Sequence, residues 1–179
     1  MSSSLQANRL NLPALAREGV PLIASIPLQK LKRIAKETQG LQPDSSVYLE
    51  ARAEFRPNPG ADDVVWLHLQ AETSLLLTCQ RCTGAVLVLL KVDQWYRFVA
   101  TEDIAMAEDD QSEEDLLVLE PQFDLLALLE DELLMALPLV PMHDACPVAP
   151  TLSVGDADIA GESGAKPNAF AALAQLRRK

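Results

Sequence analysis

Aromatic side chains are scarce in this chain. They make up 4% of its 179 residues, so leucine, valine and alanine must fill the core. Positive charge is scarce too: 15 Lys and Arg stand against 26 Asp and Glu, a net charge of −11. That excludes a general nucleic-acid binder, which gains affinity from clustered cations that release counterions, and it excludes adhesion to an anionic membrane. It favours solubility or a basic partner. There are three cysteines, an odd number with no disulfide framework. The longest apolar region, 125–142, is interrupted by Glu130, Asp131 and Glu132, which rules it out as a membrane span. The opening MSSSLQANRL lacks the apolar stretch of a secretory signal, and the expected compartment is the cytoplasm, where thiols stay reduced. Catalytic signatures are missing as well. There is no P-loop, GxGxxG, HExxH or GxSxG, and His68 has no Ser or Cys nucleophile beside it in sequence, so the expectation is a protein that is not an enzyme.

What is present is a regular alternation of elements. Residues 10–18 predict a short helix stopped by Gly19, followed by a strand from Val20 to Ile26 ended by Pro27. Residues 28–38 predict a longer helix with Leu28, Leu31, Ile34 and Ala35 on one face, and Gly40 as its stop. From Val47 to Phe55 the apolar period becomes two. Strands follow over 64–70 and 73–78, which can be continuous, and over 86–92 and 94–99 as one long or bent strand. Short turns between them favour an antiparallel sheet. Residues 101–115 are rich in Asp and Glu and read as a solvated, mobile loop, with a short strand returning at 116–119. Asp124 is a good N-cap for a leucine-rich, largely buried helix from Leu125 to Leu137, ended by Pro138. Residues 147–165 read as irregular, and 169–178 as a short terminal helix. The predicted fold class is α+β: one domain over 1–179, an antiparallel sheet covered by the buried helix, with short helices flanking both ends.

Three groups of residues carry candidate chemistry. Cys79 and Cys82 form a CxxC, whose tight turn points two sulfurs the same way, and Gly84 helps such a turn. His143 and Cys146 are the natural second pair, and together the four make a Cys3His set suited to one structural zinc ion. Two other readings stand beside it: unmetallated thiols at a β-turn, or a redox pair, although AVLVLL after Cys82 reads as a strand rather than the helix that thioredoxin-type sites need. Glu130, Asp131 and Glu132 project in three directions from a helix, which suits solvated acids with one ion pair, to Arg81 or Arg97, with a partner-binding acidic patch as the alternative. Lys30, Lys32, Arg33 and Lys36 on one helix, with Arg177, Arg178 and Lys179 on the tail, give a local positive face for phosphate contact, to which Arg81 at the knuckle adds. Trp66, Trp95, Tyr48 and Tyr96 read as core or sheet-face packing, with base-stacking platforms as the alternative.

The ordered set of CQRC at 79–82, DLLALLEDELLMALPLVPMHDAC at 124–146 and KPNAFAALAQLRRK at 166–179 resembles the bacterial YceD family, described as large-subunit ribosomal RNA accumulation proteins. The resemblance is good over the C-terminal part and loose over the N-terminal one. It implies a non-enzymatic ribosome biogenesis factor supporting synthesis, processing or accumulation of large-subunit ribosomal RNA, with that RNA or a large-subunit ribosomal protein as partner. The alternative from a different class is a zinc-stabilised interaction module that binds a basic ribosomal protein without touching RNA. An RNA-processing or redox enzyme is the third reading.

Overall fold

The computed structural model describes residues 7–58 and 62–148. The compact unit is Met1–Pro147; the second unit, Val148–Lys179, lies outside the described residues except for Val148. The irregular stretch and helix expected after 148 therefore fall outside them, as do Arg177, Arg178 and Lys179.

Helix α1 (Leu12–Glu18) begins where Asn11 Oδ1 accepts from the Ala14 amide and ends at Gly19, whose φ of 65° is the left-handed stop. Strand β1 (Leu22–Pro27) follows. The single helix expected over 28–38 is instead a 3-10 turn, Leu28–Lys30, followed by α2 (Lys32–Glu37), with the break at Leu31. The tighter turn aligns residues three apart, and Leu28 and Leu31 are thereby both buried against the sheet. Strands β2 (Ser46–Arg56), β3 (Val64–Thr78) and β4 (Ala85–Val99) form a long meander, with β3 and β4 each continuous over 15 residues.

The sheet order is β1-β2-β3-β4-β5, and the first four strands pair antiparallel. The fifth, β5 (Asp115–Val118), pairs parallel to β4. A parallel neighbour needs a crossover connection, and the acidic segment supplies it. Contrary to the loop expected over 101–115, residues Glu102–Glu108 form helix α3 and Asp109–Gln111 a 3-10 turn. Thr101 caps α3, Glu102 and Asp103 sit at its positive end, and Ala105 is buried. The acids are also held: Arg97 pairs with Glu108 at 2.8 Å and Glu114 at 2.9 Å. Composition alone cannot show a cation arriving from a neighbouring strand.

Helix α4 (Leu125–Met135) starts at Asp124, whose Oδ1 accepts from the amides of Leu126 and Ala127. It buries Leu125, Leu129 and Leu133 completely. The alternating side chains of β2, β3 and β4 that face it complete one core, which α1 and α2 also cover. Tyr96 lies in that core; Trp66 and Trp95 lie on the opposite face of the sheet. Among the described residues, no helix is long and apolar enough to cross a membrane.

Candidate metal centre

The β3–β4 register pairs Thr78 with Ala85, which leaves residues 79–84 as the hairpin connection. That connection is a knuckle closed by its own backbone: Cys79 N donates to Gly84 O at 2.8 Å and Thr83 N to Cys79 O at 2.9 Å. The left-handed position falls on Thr83, with φ of 60°, and not on Gly84. A Cβ at Gly84 would meet Cys82 Sγ at 3.5 Å and His143 Cε1 at 4.0 Å, ordinary contacts, so the expected steric role of Gly84 is not what shapes the turn. Gln39 Nε2, just past α2, donates to Thr78 Oγ1 and Thr83 O, which ties the knuckle to that helix.

The second half arrives from the end of α4. Past Pro138 the chain bends at 139–140, and Gln80 N donates to Pro141 O at 2.9 Å. This bond delivers His143 and Cys146 to the knuckle. The donor atoms of Cys79, Cys82, His143 and Cys146 all lie within 4.8 Å of one another. His143 Nδ1 is 3.5 Å from Cys82 Sγ. A tetrahedral ion with thiolate arms of ~2.3 Å sets its donors roughly 3.5–3.8 Å apart, so the cluster is of the right size. The far imidazole nitrogen, Nε2, lies 3.0 Å from the carbonyl of Ala85. A proton there leaves Nδ1 free as a lone-pair donor facing the sulfurs, the outer support that metal-binding imidazoles require.

Electrostatics fit the same occupant. Cys79 is fully buried. Burial pushes its thiol up, but the backbone amides of His143, Cys82 and Arg81 and the His143 ring outweigh it and bring the thiol down to about 5. Cys146 is pushed up, by burial first and then by Cys82 and Cys79 beside it. One thiolate is favoured and its neighbour opposed, a crowding of like charge that a divalent cation relieves. Four protein donors at this spacing match the four positions of a tetrahedral ion.

The other expected residues are more scattered. Lys30, Lys32 and Lys36 are exposed around α2. Arg33 is instead engaged with α4, through Glu130 at 3.1 Å and Asp131 at 2.5 Å. These two acids pair with Arg33 and not with Arg81 or Arg97, because α2 packs on α4 whereas Arg97 faces the crossover. Glu130 also performs a task that the sequence did not disclose. Its Oε1 accepts from the backbone amides of Arg33 and Ile34, supplying α2 with the N-terminal cap that Leu31 cannot provide. Arg81 projects from the knuckle, its guanidinium 3.9 Å from Met142 Sδ. The carbonyls of Ala85 and Pro141 were also missed, since every residue carries one and no sequence pattern marks those that matter.

Comparison with known proteins places this architecture. The family profile described as Large ribosomal RNA subunit accumulation protein YceD matches residues 67–177, which include the knuckle, α4 and the HxxC. The Large ribosomal RNA subunit accumulation protein YceD of Haemophilus influenzae is 33% identical over 159 residues, covering 84% of this chain and 83% of the relative. The chain belongs to the YceD family. No solved structure matches this YceD-family chain. The four donors of the cluster all lie within the matched region.

Proposed function

We propose that this YceD-family chain is a non-enzymatic cytoplasmic factor that supports the accumulation of large-subunit ribosomal RNA. The observation that carries this reading is family membership, through a relative whose name states that role and which the chain matches over most of both lengths. The fold agrees with a binding protein. Its best-formed constellation of polar side chains is a closed donor set with no position left for a substrate. Cys79, Cys82, His143 and Cys146 hold one structural zinc ion, which joins the hairpin tip to the segment after α4, 61 residues away between Cys82 and His143. Closing so long a loop restricts the unfolded chain, and binding of the ion adds to folding free energy.

Lys30, Lys32 and Lys36, with Arg81, and with Arg177, Arg178 and Lys179 on the tail, supply phosphate contacts on an otherwise acidic protein. Arg33 supports the α2 cations by fixing α2 on α4. The deciding experiment is co-sedimentation of the tagged full-length protein with precursors of the large subunit, together with the level of large-subunit ribosomal RNA after depletion. Association with those particles and a fall in that RNA are expected. A protein that stays at the top of the gradient, with unchanged RNA on depletion, overturns the reading. The net charge of −11 favours one variant of it, contact through a basic ribosomal protein. Salt titration separates the two, since direct RNA contact through these cations weakens steeply as salt rises.

A further inference from the structure

Strand β4 is paired on its two sides very unequally. β3 runs beside residues 85–97 of β4, while β5 pairs only with residues 96–99. Three bonds fix where the other backbone groups of β4 point. Cys79 N donates to Gly84 O across the hairpin, so the next pair, Thr78 and Ala85, turns its amides and carbonyls away from one another. Ala85 O accordingly faces outward, 3.0 Å from His143 Nε2. Val99 O, at the far end, also faces outward and accepts from Leu119 N at 2.9 Å. The β3–β4 register between these ends is unbroken, so each odd-numbered residue of β4 directs its N–H and C=O to the outer edge. Leu87, Leu89, Lys91 and Asp93 thereby present a row of backbone groups that bond to no other backbone among the described residues. The row is about 20 Å long. It contains no proline, and its Leu87 and Leu89 side chains are 67% and 53% exposed. A long apolar edge of this kind is a template for another strand. Lys91 is paired with Glu72 at 3.1 Å and leaves the edge without a free cation to repel one. On the core side, a groove of about 440 Å³ opens against the edge, lined by Val92, Gln94, Glu132, Met135 and Ala136. Glu132 in that groove and Asp115, at the start of β5, make no ion pair among the described residues.

We propose that this edge of β4 takes up an extended basic segment of a protein partner as a further antiparallel strand, bonded through the backbone of Leu87, Leu89, Lys91 and Asp93. The choice of a ribosomal protein as that partner rests on the function proposed above; the site and its mode of binding rest on the strand. Strand addition draws affinity from main-chain hydrogen bonds and specificity from alternate side chains. On the outer face, the added residues lie beside Leu87 and Leu89, which favours apolar side chains. On the core face they enter the groove. There a lysine or arginine stem covers Met135 and Val92, and its charged head meets Glu132 or Asp115. The segment therefore alternates apolar and basic residues. Charge selects this occupant over others. A second copy of the chain would bring its own net charge of −11 to the same edge. Single-stranded RNA would set phosphates against the two carboxylates, and it has no ladder of amides to match the edge.

The test is amide hydrogen exchange of the full-length protein, resolved by residue with NMR. In the free protein the amides of Val86, Val88, Leu90 and Val92, which face β3, should be protected, and those of Leu87, Leu89, Lys91 and Asp93 should exchange fast. A nonapeptide alternating valine and lysine, at about ten times its dissociation constant, should slow those four by about tenfold. N-methylation of its valines, whose amides face β4 in an antiparallel pair, should abolish this protection; N-methylation of its lysines should not. A peptide alternating valine and glutamate should not protect. Leu89→Pro removes one edge donor and spares the β3 ladder, and should weaken the peptide by about 2- to 13-fold, the range of one lost hydrogen bond. If Leu89→Pro does not fold, Met135→Lys, which sets a cation in the groove at an exposed position, decides by the same weakening. Edge amides already protected in the free protein overturn the proposal, as does protection that grows with protein concentration alone. So do equal protection by the glutamate peptide or by single-stranded RNA, protection that survives methylation of the valines, and unchanged affinity in the variant that folds. Co-sedimentation with large-subunit precursors distinguishes the two failures: a protein that joins the particles while its edge ignores the peptide loses this site and keeps the proposed function.

Discussion

Replacing Leu129 by alanine tests whether α4 is the central support of the core or a peripheral layer. Leu129 has no exposed surface and sits between Leu125 and Leu133 on the face of α4 directed at the sheet. The substitution removes about three carbon atoms from a dry site, a transfer loss of about 2.4 kcal/mol at ~0.8 kcal/mol per carbon. A residual void of up to ~80 Å³ adds as much as ~2 kcal/mol, and the total is about 2–5 kcal/mol. In a chain of this length each kcal/mol moves the thermal midpoint by roughly 2–4 °C, so a loss of about 3 kcal/mol shows as roughly 6–12 °C. Urea unfolding followed by far-UV circular dichroism reads the change directly, and an unaltered slope confirms that the same surface unfolds. Met135, 70% exposed on the same helix, is the control, and Met135→Ala should stay within about 0.5 kcal/mol. A loss below about 1 kcal/mol at both Leu129 and Leu133 would refute the reasoning and make α4 a docking surface.

Metal analysis of protein purified without a histidine tag should give about one zinc per chain, lost in Cys79→Ser; a metal-free protein with an unchanged melt would remove the centre. Glu130→Ala should cost more than Glu130→Gln, by about 0.5–2 kcal/mol, because glutamine keeps an acceptor for the two α2 amides; equal losses would show that the charge alone matters. Glu132 is buried, and burial first, with Asp115 and Asp131 adding, raises its carboxyl above the ordinary range against the pull of the Tyr96 hydroxyl. The fold therefore favours the protonated acid. Its contribution is complete below the ordinary carboxylate pKa and is lost as pH rises through the elevated one. Glu132→Gln should flatten that part of the urea midpoint against pH curve, and a curve parallel to wild type would contradict this assignment. Lys30, Lys32 and Lys36 changed together to alanine should weaken RNA binding and flatten its salt slope with little change in stability; an unchanged slope would clear α2 of phosphate contact.

The sequence by itself determined the features that depend on neighbours along the chain. The period-two runs of β2, β3 and β4, the Asn11 and Asp124 caps, the Gly19 stop and the leucine stripe of α4 are all local patterns, and each lies where the pattern put it. The four cysteine and histidine donors were also legible as a set, because their chemistry singles them out among 179 residues. Tertiary structure decided everything that depends on partners distant in sequence. The two halves of the donor set meet through the Gln80 N to Pro141 O bond and the approach of His143 Nε2 to the Ala85 carbonyl, backbone partners that no sequence pattern announces. The acids of 101–115 read as solvated until Arg97 holds two of their number, and the helix they form turns β5 parallel. Arg33 and Glu130 look like surface charges until α2 lies on α4, and one then caps the other. The two tryptophans become a single surface only through the β3–β4 register. Hydrophobic period and capping are encoded within a few residues; ion pairs, caps from other helices and stacked rings need the free energy of the whole core to hold their elements in place.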